Sequence, residues 1–344
     1  MAVYTHVTKK DANALAADYV LPKVLSVRAV REGSVNTHYL LETVRGKFIV
    51  KIDEVKSEIE VKRELDLLLF LRKHGFPCPV PLADRRGRHC RDWNGKQLSV
   101  YRYIDGHSVA PDDLSGAQLE NVGRVLADLH LITKAYKKGV DSRFSFERVA
   151  EIYAGVRGRL PHYLKKIVRT LDEELEYLQN YLETKLPKGI IHGDLFADNL
   201  MLKGEKVVAV LDFEAAGRGK FIFDLATAVN SLCFESGRYA LKKFESLIAG
   251  YETLRTLSLA EWDAFPNELR FSALRFTVTR LKDFFLRQLD DRFRDTRDFQ
   301  EFYDRLRILR REEDGGMEGL LMAMATGYDY RKYQKVKAFE KKSK

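Results

Sequence analysis

The side chains with the clearest chemical meaning fall in one block. Ile190-Ile191 run into His192-Gly193-Asp194, then come Asp198-Asn199, and later Val208 to Leu211 lead into Asp212-Phe213. Asn199 reads as opening a strand, Asn199 to Lys203, which turns at Gly204-Glu205-Lys206 and returns as Val207 to Leu211. Such a hairpin brings Asn199 and Asp212 to the same end. An amide and a carboxylate there suit Mg²⁺, a hard cation that prefers oxygen ligands and substrate phosphates. Asp194, five residues before Asn199, is then free to accept the proton of an attacking hydroxyl. One Asp for the nucleophile, with an Asn and an Asp for the metal, is the division of labour in phosphoryl transfer from ATP. An isolated His-x-Asp would read as a turn whose carboxylates cap backbone amides. The joint spacing, Asp-x4-Asn with Asp-Phe thirteen positions after the Asn, asks for more than a turn.

The nucleotide half of such a site carries weaker signals. The chain has no G-x-G-x-x-G and no G-x-x-x-x-G-K-[ST], which excludes dinucleotide-fold and P-loop readings. Gly33-Ser34, in Glu32-Gly33-Ser34-Val35-Asn36, either turns a simple hairpin or lies over phosphates. Lys51, flanked by Val50 and Ile52, is a charge within an apolar strand and needs a partner or a function. Glu60 and Glu64, four apart on one helix face, are its candidate partners, and Lys51 would then reach the α/β-phosphates. Only eleven residues separate Asp212 from Asp224, with no Ser, Thr or Tyr among them. A protein kinase needs a longer segment there to dock a peptide. A small hydroxyl compound is the expected acceptor.

The elements that must position these groups differ along the chain. Residues 24–31, 36–44 and 47–52 read as short strands, and 57–74 as a helix closed by Gly75 before Pro77. Strands near 87–92 and 97–104 follow, with a turn at Asn94-Gly95. After Gly106 helical patterns dominate, at 115–136, 144–156, 161–183, 222–235, 237–253 and 266–289, interrupted by the block at 188–213. This predicts an α+β chain of two lobes: a β-rich lobe over 1–104 with one key helix, and a mainly helical lobe over 105–312. Residues 313–344 would form a C-terminal extension.

Composition narrows the partners. With 45% apolar and 32% charged residues among 344, the chain can bury a sizeable core, which excludes a largely disordered protein. A net charge of +9 suggests nucleic acid or an anionic membrane. However, Arg331 to Lys344 hold seven Lys/Arg and one Glu, so +6 of that charge sits in a terminal tail. The rest is nearly neutral, and no specific nucleic-acid or membrane partner is expected. No run of about 18 apolar residues occurs, and the N-terminus lacks a continuous apolar stretch. Cys78, Cys90 and Cys233 are odd in number and scattered, which fits reduced thiols and a cytoplasmic location.

The motifs IIHGDLFADNLML and VLDFEAAGRGKFIFDLATAV resemble those of the aminoglycoside phosphotransferase/choline kinase superfamily, whose fold is protein-kinase-like. Within it, EGSVNTHYLLET, HGFPCPVPL, SLCFESG and ALRFTVTRLKDFF are most similar to type II homoserine kinases, with the similarity running to about Leu309. The resemblance implies a kinase of threonine biosynthesis, with Asp194 as base, His192 ordering its loop, Asn199 and Asp212 on Mg²⁺, and Asp224 holding the loop. It pairs Lys51 with Glu64, which lies eleven residues before Gly75, and sets ATP between lobes with its adenine near Val100–Tyr103, hence beside Tyr101 and Tyr103. Gly193, Glu214 and the basic Gly217-Arg218-Gly219-Lys220 depart from the homoserine kinase pattern. Homoserine would require a guanidinium for its carboxylate and an acid for its ammonium. Arg275, Arg280 and Asp283 lie in the matched helical run, and Glu214 is a candidate for the ammonium. Arg280 and Asp283 are either part of that pocket or an exposed i,i+3 pair.

Overall fold

The computed structural model describes residues 5–30, 36–139, 141–183, 185–286 and 298–310. Gly33, Ser34 and the extension 313–344, with its basic stretch, lie outside the described residues. Two compact units emerge. One takes in the described residues of Met1–His107 with Met201–Lys203 and Val208–Glu214; the other takes in those of Ser108–Leu200, Gly204–Val207 and Ala215–Lys344. The first unit thus includes two short segments of the later chain, which no shift in composition announces.

In the first unit, helix α1 (Lys9–Asp18) precedes strands β1 (Val24–Val30), β2 (Thr37–Thr43) and β3 (Gly46–Asp53). Helix α2 (Glu58–Lys73) leads to strands β4 (Arg91–Trp93) and β5 (Lys96–Arg102). The strands form one antiparallel sheet in the order β1-β2-β3-β5-β4. Side chains alternate across a strand, so Phe48, Val50 and Ile52 of β3 enter a core with Leu15, Tyr39, Leu41, Leu98 and Val100. Lys51 and Asp53 therefore project from the other face. Ser57 and Glu60 close a reciprocal capping box that sets the start of α2. From that start Val61, Leu65 and Leu68 turn inward, and Glu64, three residues after Val61, shares their buried side. The turn at Asn94-Gly95 has both residues at positive φ, +55° and +79°, as a tight hairpin with right-handed twist requires.

The second unit is built mainly of helices α3 (Gly116–Thr133), α4 (Phe146–Arg157) and α5 (Lys165–Tyr181). Short strands follow: β6 (Lys188–Ile191), β7 (Leu200–Lys203), β8 (Lys206–Val210) and β9 (Gly217–Lys220). Helix α6 (Phe221–Leu232), a small hairpin of β10 (Phe234–Glu235) and β11 (Arg238–Tyr239), and helices α7 (Leu241–Glu252), α8 (Leu259–Leu286) and α9 (Phe299–Arg310) complete it. β7 pairs with β8, and the residues of this hairpin are shared between the two units. All twelve residues of α6 are buried. Its polar members all find partners. Thr227 meets Ser272, Asn230 donates to the Leu269 carbonyl, and Ser231 donates to the Leu195 carbonyl. Among the described residues no helix is long and apolar enough to cross a membrane.

Several elements differ from the periodicity reading. The helix expected from 237 starts at Leu241, because Ser236 and Gly237 take positive φ and turn the β10–β11 hairpin. The helix expected from 266 starts at Leu259, capped by Ser258 and Glu261, and Pro266 is accommodated inside it. Asn199 ends a 3-10 turn, Ala197–Asn199, and the strand begins at Leu200. β9 was not expected at all. It pairs antiparallel with β6, and its glycines make room: a Cβ on Gly219 would collide with the Ile191 side chain.

Helices α3 and α7 touch through their backbones. A Cβ on Gly123 would overlap the carbonyl oxygen of Leu247, and one on Gly250 would overlap the carbonyl oxygen of Glu120. Backbone cannot yield as a flexible side chain can. Gly250→Ala is therefore expected to destabilise the protein by about 3 kcal/mol, the upper range for overpacking, although alanine favours a helix in isolation. Urea denaturation of the two proteins checks it.

Candidate active site

The loop after β6 is held by a single carboxylate. Asp224 of α6, fully buried, accepts the N–H of His192 at Oδ2 (2.8 Å) and that of Gly193 at Oδ1 (2.7 Å). His130 of α3 also donates to Oδ2 (3.1 Å). The other ring nitrogen of His130 takes the Tyr251 hydroxyl (2.7 Å), and that oxygen accepts from Arg255 (2.9 Å), which in turn bonds Glu261 (2.5 Å). Burial alone would push the Asp224 carboxyl up. Hydrogen bonds from His130 and the loop amides instead hold it below the usual range. Burial likewise lowers His130, which is neutral and fixed as the tautomer that donates to the carboxylate.

Gly193 sits at φ +74°, a left-handed conformation open to glycine, and this bend turns the chain into Asp194. The Asp194 N–H bonds Nδ1 of His192 (3.2 Å), so His192 orders the loop from within. The Asn199 amide donates to the Asp194 carbonyl (2.9 Å) through Nδ2, so its Oδ1 takes no part in that bond. The Asp194 carboxylate is one-third exposed and meets Arg275 of α8 through Oδ1 (3.2 Å). Every one of these groups belongs to the second unit.

The first unit gathers a second set. Lys51 Nζ lies 3.0 Å from Glu64, 3.5 Å from Asp53 and 3.6 Å from Glu214. Lys56 Nζ lies 2.5 Å from the same Glu64, 3.2 Å from Glu214 and 3.7 Å from Asp53. Asn36 donates to Glu214 and accepts the Glu54 N–H. The three carboxylates converge closely enough to hold a cation, and two ammonium groups already fill that role. Burial would lower Lys51, but Glu64 and Asp53 hold it well above its ordinary value. Burial would raise Glu64, but Lys51 and Lys56 bring it down to about 2. Asp212, at φ +57°, accepts the Glu214 N–H at Oδ1 (3.3 Å).

Of the residues singled out from the sequence, Lys51 and Glu64 stand together, whereas Glu60 is committed to the α2 cap. Glu214, read as a candidate for the acceptor's ammonium, is instead engaged by Lys51, Lys56 and Asn36, since its backbone follows Asp212 into the first unit. Arg280 reaches across to α9, bonding Glu301 (2.5 Å) and the Asp298 carbonyl (2.9 Å). Tyr101 is buried within β5, and Tyr103 is exposed, with Lys47 over its ring. Lys56 and Asn36 were missed. Lys56 follows a turn with no strand or helix period to mark it, and Asn36 meets Glu214 across 178 positions of sequence.

A unit bearing an antiparallel sheet and two capped helices, and a helical unit whose buried aspartate holds a His-Gly-Asp loop, are the parts of a protein-kinase-like phosphotransferase fold. The sequence pattern of the phosphotransferase enzyme family matches residues 26–257, and the chain belongs to that family. Homoserine kinase from Caulobacter sp. (strain K31) is 34% identical over 286 residues, covering 82% of this chain and 89% of its own. Homoserine kinase from Chelativorans sp. (strain BNC1) is 31% identical over 326 residues, covering 94% of this chain and all of its own. In fold the chain is similar to amicoumacin kinase in complex with AMP-PNP and Ca²⁺, with a TM-score of 0.67 at 19% identity over 87% of this chain and 94% of that one.

The lysine cluster has a pH signature. His38 lies opposite Lys51 in the β2–β3 register, and burial, then the Lys51 charge, lower it to about 4. An unfolded histidine titrates near 6.5, so the unfolded chain takes up this proton first and stability falls as pH drops from about 6.5 to 4. The loss from this residue amounts to at most about 3 kcal/mol. Urea titrations at pH 7 and pH 4.5 should show a smaller loss for His38→Gln than for the parent, with equal loss in both excluding this cause.

Proposed function

We propose that the chain transfers the γ-phosphoryl group of ATP to the side-chain hydroxyl of L-homoserine, giving O-phospho-L-homoserine and ADP. The observation that carries this reading is Asp194: a partly exposed carboxylate on a loop pinned through Asp224, in a chain whose relatives across most of its length are homoserine kinases. In the reaction the acceptor oxygen forms its bond to Pγ while the bond from Pγ to the β,γ-bridging oxygen breaks. The hydroxyl proton passes to Asp194, and ADP carries away the electron pair of the broken bond. Positioning and electrostatics supply most of the acceleration in such a transfer, since the protein has little covalent chemistry to do.

The other residues take their roles from their surroundings. Lys51, braced by Glu64, contacts the α/β-phosphates, and the backbone near Tyr101 and Tyr103 receives the adenine. The amide oxygen of Asn199, in the second unit, and the carboxylate of Asp212, in the first, are each hard donors of the kind Mg²⁺ prefers, and the ion would neutralise phosphate charge when bound. His192 keeps the loop in register, its Nδ1 accepting the Asp194 amide.

Asp194→Asn preserves size and hydrogen bonding but removes the proton acceptor. Homoserine-dependent ADP formation should fall by about 10²–10⁴-fold, with ATP affinity by calorimetry near that of the parent. Unchanged turnover would sink the assignment. A panel of homoserine, choline, ethanolamine, a sugar and an aminoglycoside, read by coupled ADP release with Mg²⁺ and again with EDTA, tests acceptor and cation together.

A further inference from the structure

Arg275 has donors that the resting structure does not use. It lies on α8, is 3% exposed, and has its guanidinium 3.9 Å from the Phe144 ring centroid and 3.7 Å from that of Phe276. Its NH1 group makes one bond, to Asp194, and Nε is enclosed with no hydrogen-bond partner. A guanidinium offers five N–H donors, and leaving them unmet in a buried place is costly. The same helix shows what a closed pair looks like. Arg270 also stacks on a ring, that of Tyr177 at 3.9 Å, but grips Glu174 through two donors, Nε to Oε1 (2.7 Å) and NH2 to Oε2 (2.5 Å). Five residues on, Arg275 has the aromatic bedding without the second bond.

We propose that Arg275 binds the carboxylate of the acceptor and thereby selects hydroxy acids over simple amino alcohols. This rests on the phosphotransfer reading above and adds the residue that recognises the substrate class. The guanidinium touches the carboxylate assigned to receive the hydroxyl proton, so an anion on its remaining donors stands beside that base. Homoserine has three carbons between its carboxylate and its hydroxyl oxygen, a chain able to fold from one group to the other. A planar, weakly hydrated guanidinium between aromatic rings is suited to a carboxylate fork. An acceptor without the carboxylate would leave those donors buried and unpaired, which is the strongest form of rejection available to a binding site.

The test compares L-homoserine with 3-aminopropan-1-ol, the same molecule with hydrogen in place of the carboxylate. The parent enzyme should favour homoserine in kcat/KM by at least about 100-fold. Arg275→Met should shrink that ratio by about tenfold or more, mostly through KM for homoserine and with little change in KM for ATP, and Arg275→Lys should restore part of it. A parent that accepts both compounds equally overturns the proposal. So does an Arg275→Met protein that loses the same factor on both, which would leave Arg275 as a positioning residue for Asp194 alone. Circular dichroism reports whether Arg275→Met folds; if it does not, the parent's own discrimination and the Arg275→Lys ratio decide. Preference for another hydroxy acid would refute homoserine as acceptor yet support Arg275, whereas preference for an acceptor without a carboxylate would refute both.

Discussion

A buried anion organises the second unit. Asp224 sits in a helix with no exposed residue, where an ionised carboxylate is tolerable only if its lone pairs are met. They are met by two consecutive loop amides and by His130, and the same bonds that satisfy the anion fix the loop. The chain of contacts then passes through Tyr251 of α7 to Arg255 and Glu261, the last of these near the start of α8. The position of Asp194 is therefore set by four helices that never touch its side chain through these bonds. Each link is charge-assisted or buried, so the network stands or falls as a unit.

The first unit follows the opposite arrangement. There two ammonium groups share three carboxylates, and no single pairing defines the geometry. Glu64 reaches both lysines because the capping box at Ser57 fixes the phase of α2, placing a carboxylate on a side otherwise apolar. Lys51 reaches the same point because strand alternation sends it away from the core that Val50 and Ile52 enter. Two local rules, helix phase and strand alternation, thus converge on one ion pair.

That convergence explains what could be read without coordinates. The Asp194, Asn199 and Asp212 spacing is legible because it is local, and Lys51 because a charge between apolar strand residues has to be explained. The two-lobed α+β plan was visible in the change from period two to period 3.6 after Gly106. What escaped was non-local or unpatterned. Gly-Arg-Gly-Lys has no strand composition, yet β9 forms because the glycines allow the close approach to β6. The β10–β11 strands are two residues each, too short for alternation to appear. Glu214 belongs with Asn36 and Lys56 only once the chain has folded, and Arg280 finds Glu301 on a helix that local spacing could not bring near.

Asp212 keeps its backbone at φ +57°, where an L-residue with a side chain is less comfortable than glycine and relies on the bond from the Glu214 amide to its own carboxylate. Glycine would take that angle without strain but would forfeit the bond and loosen the unfolded chain. A short acceptor side chain that folds back on the next amides is the other way to hold a left-handed residue, and it leaves a carboxylate fixed at a sharp bend of the backbone.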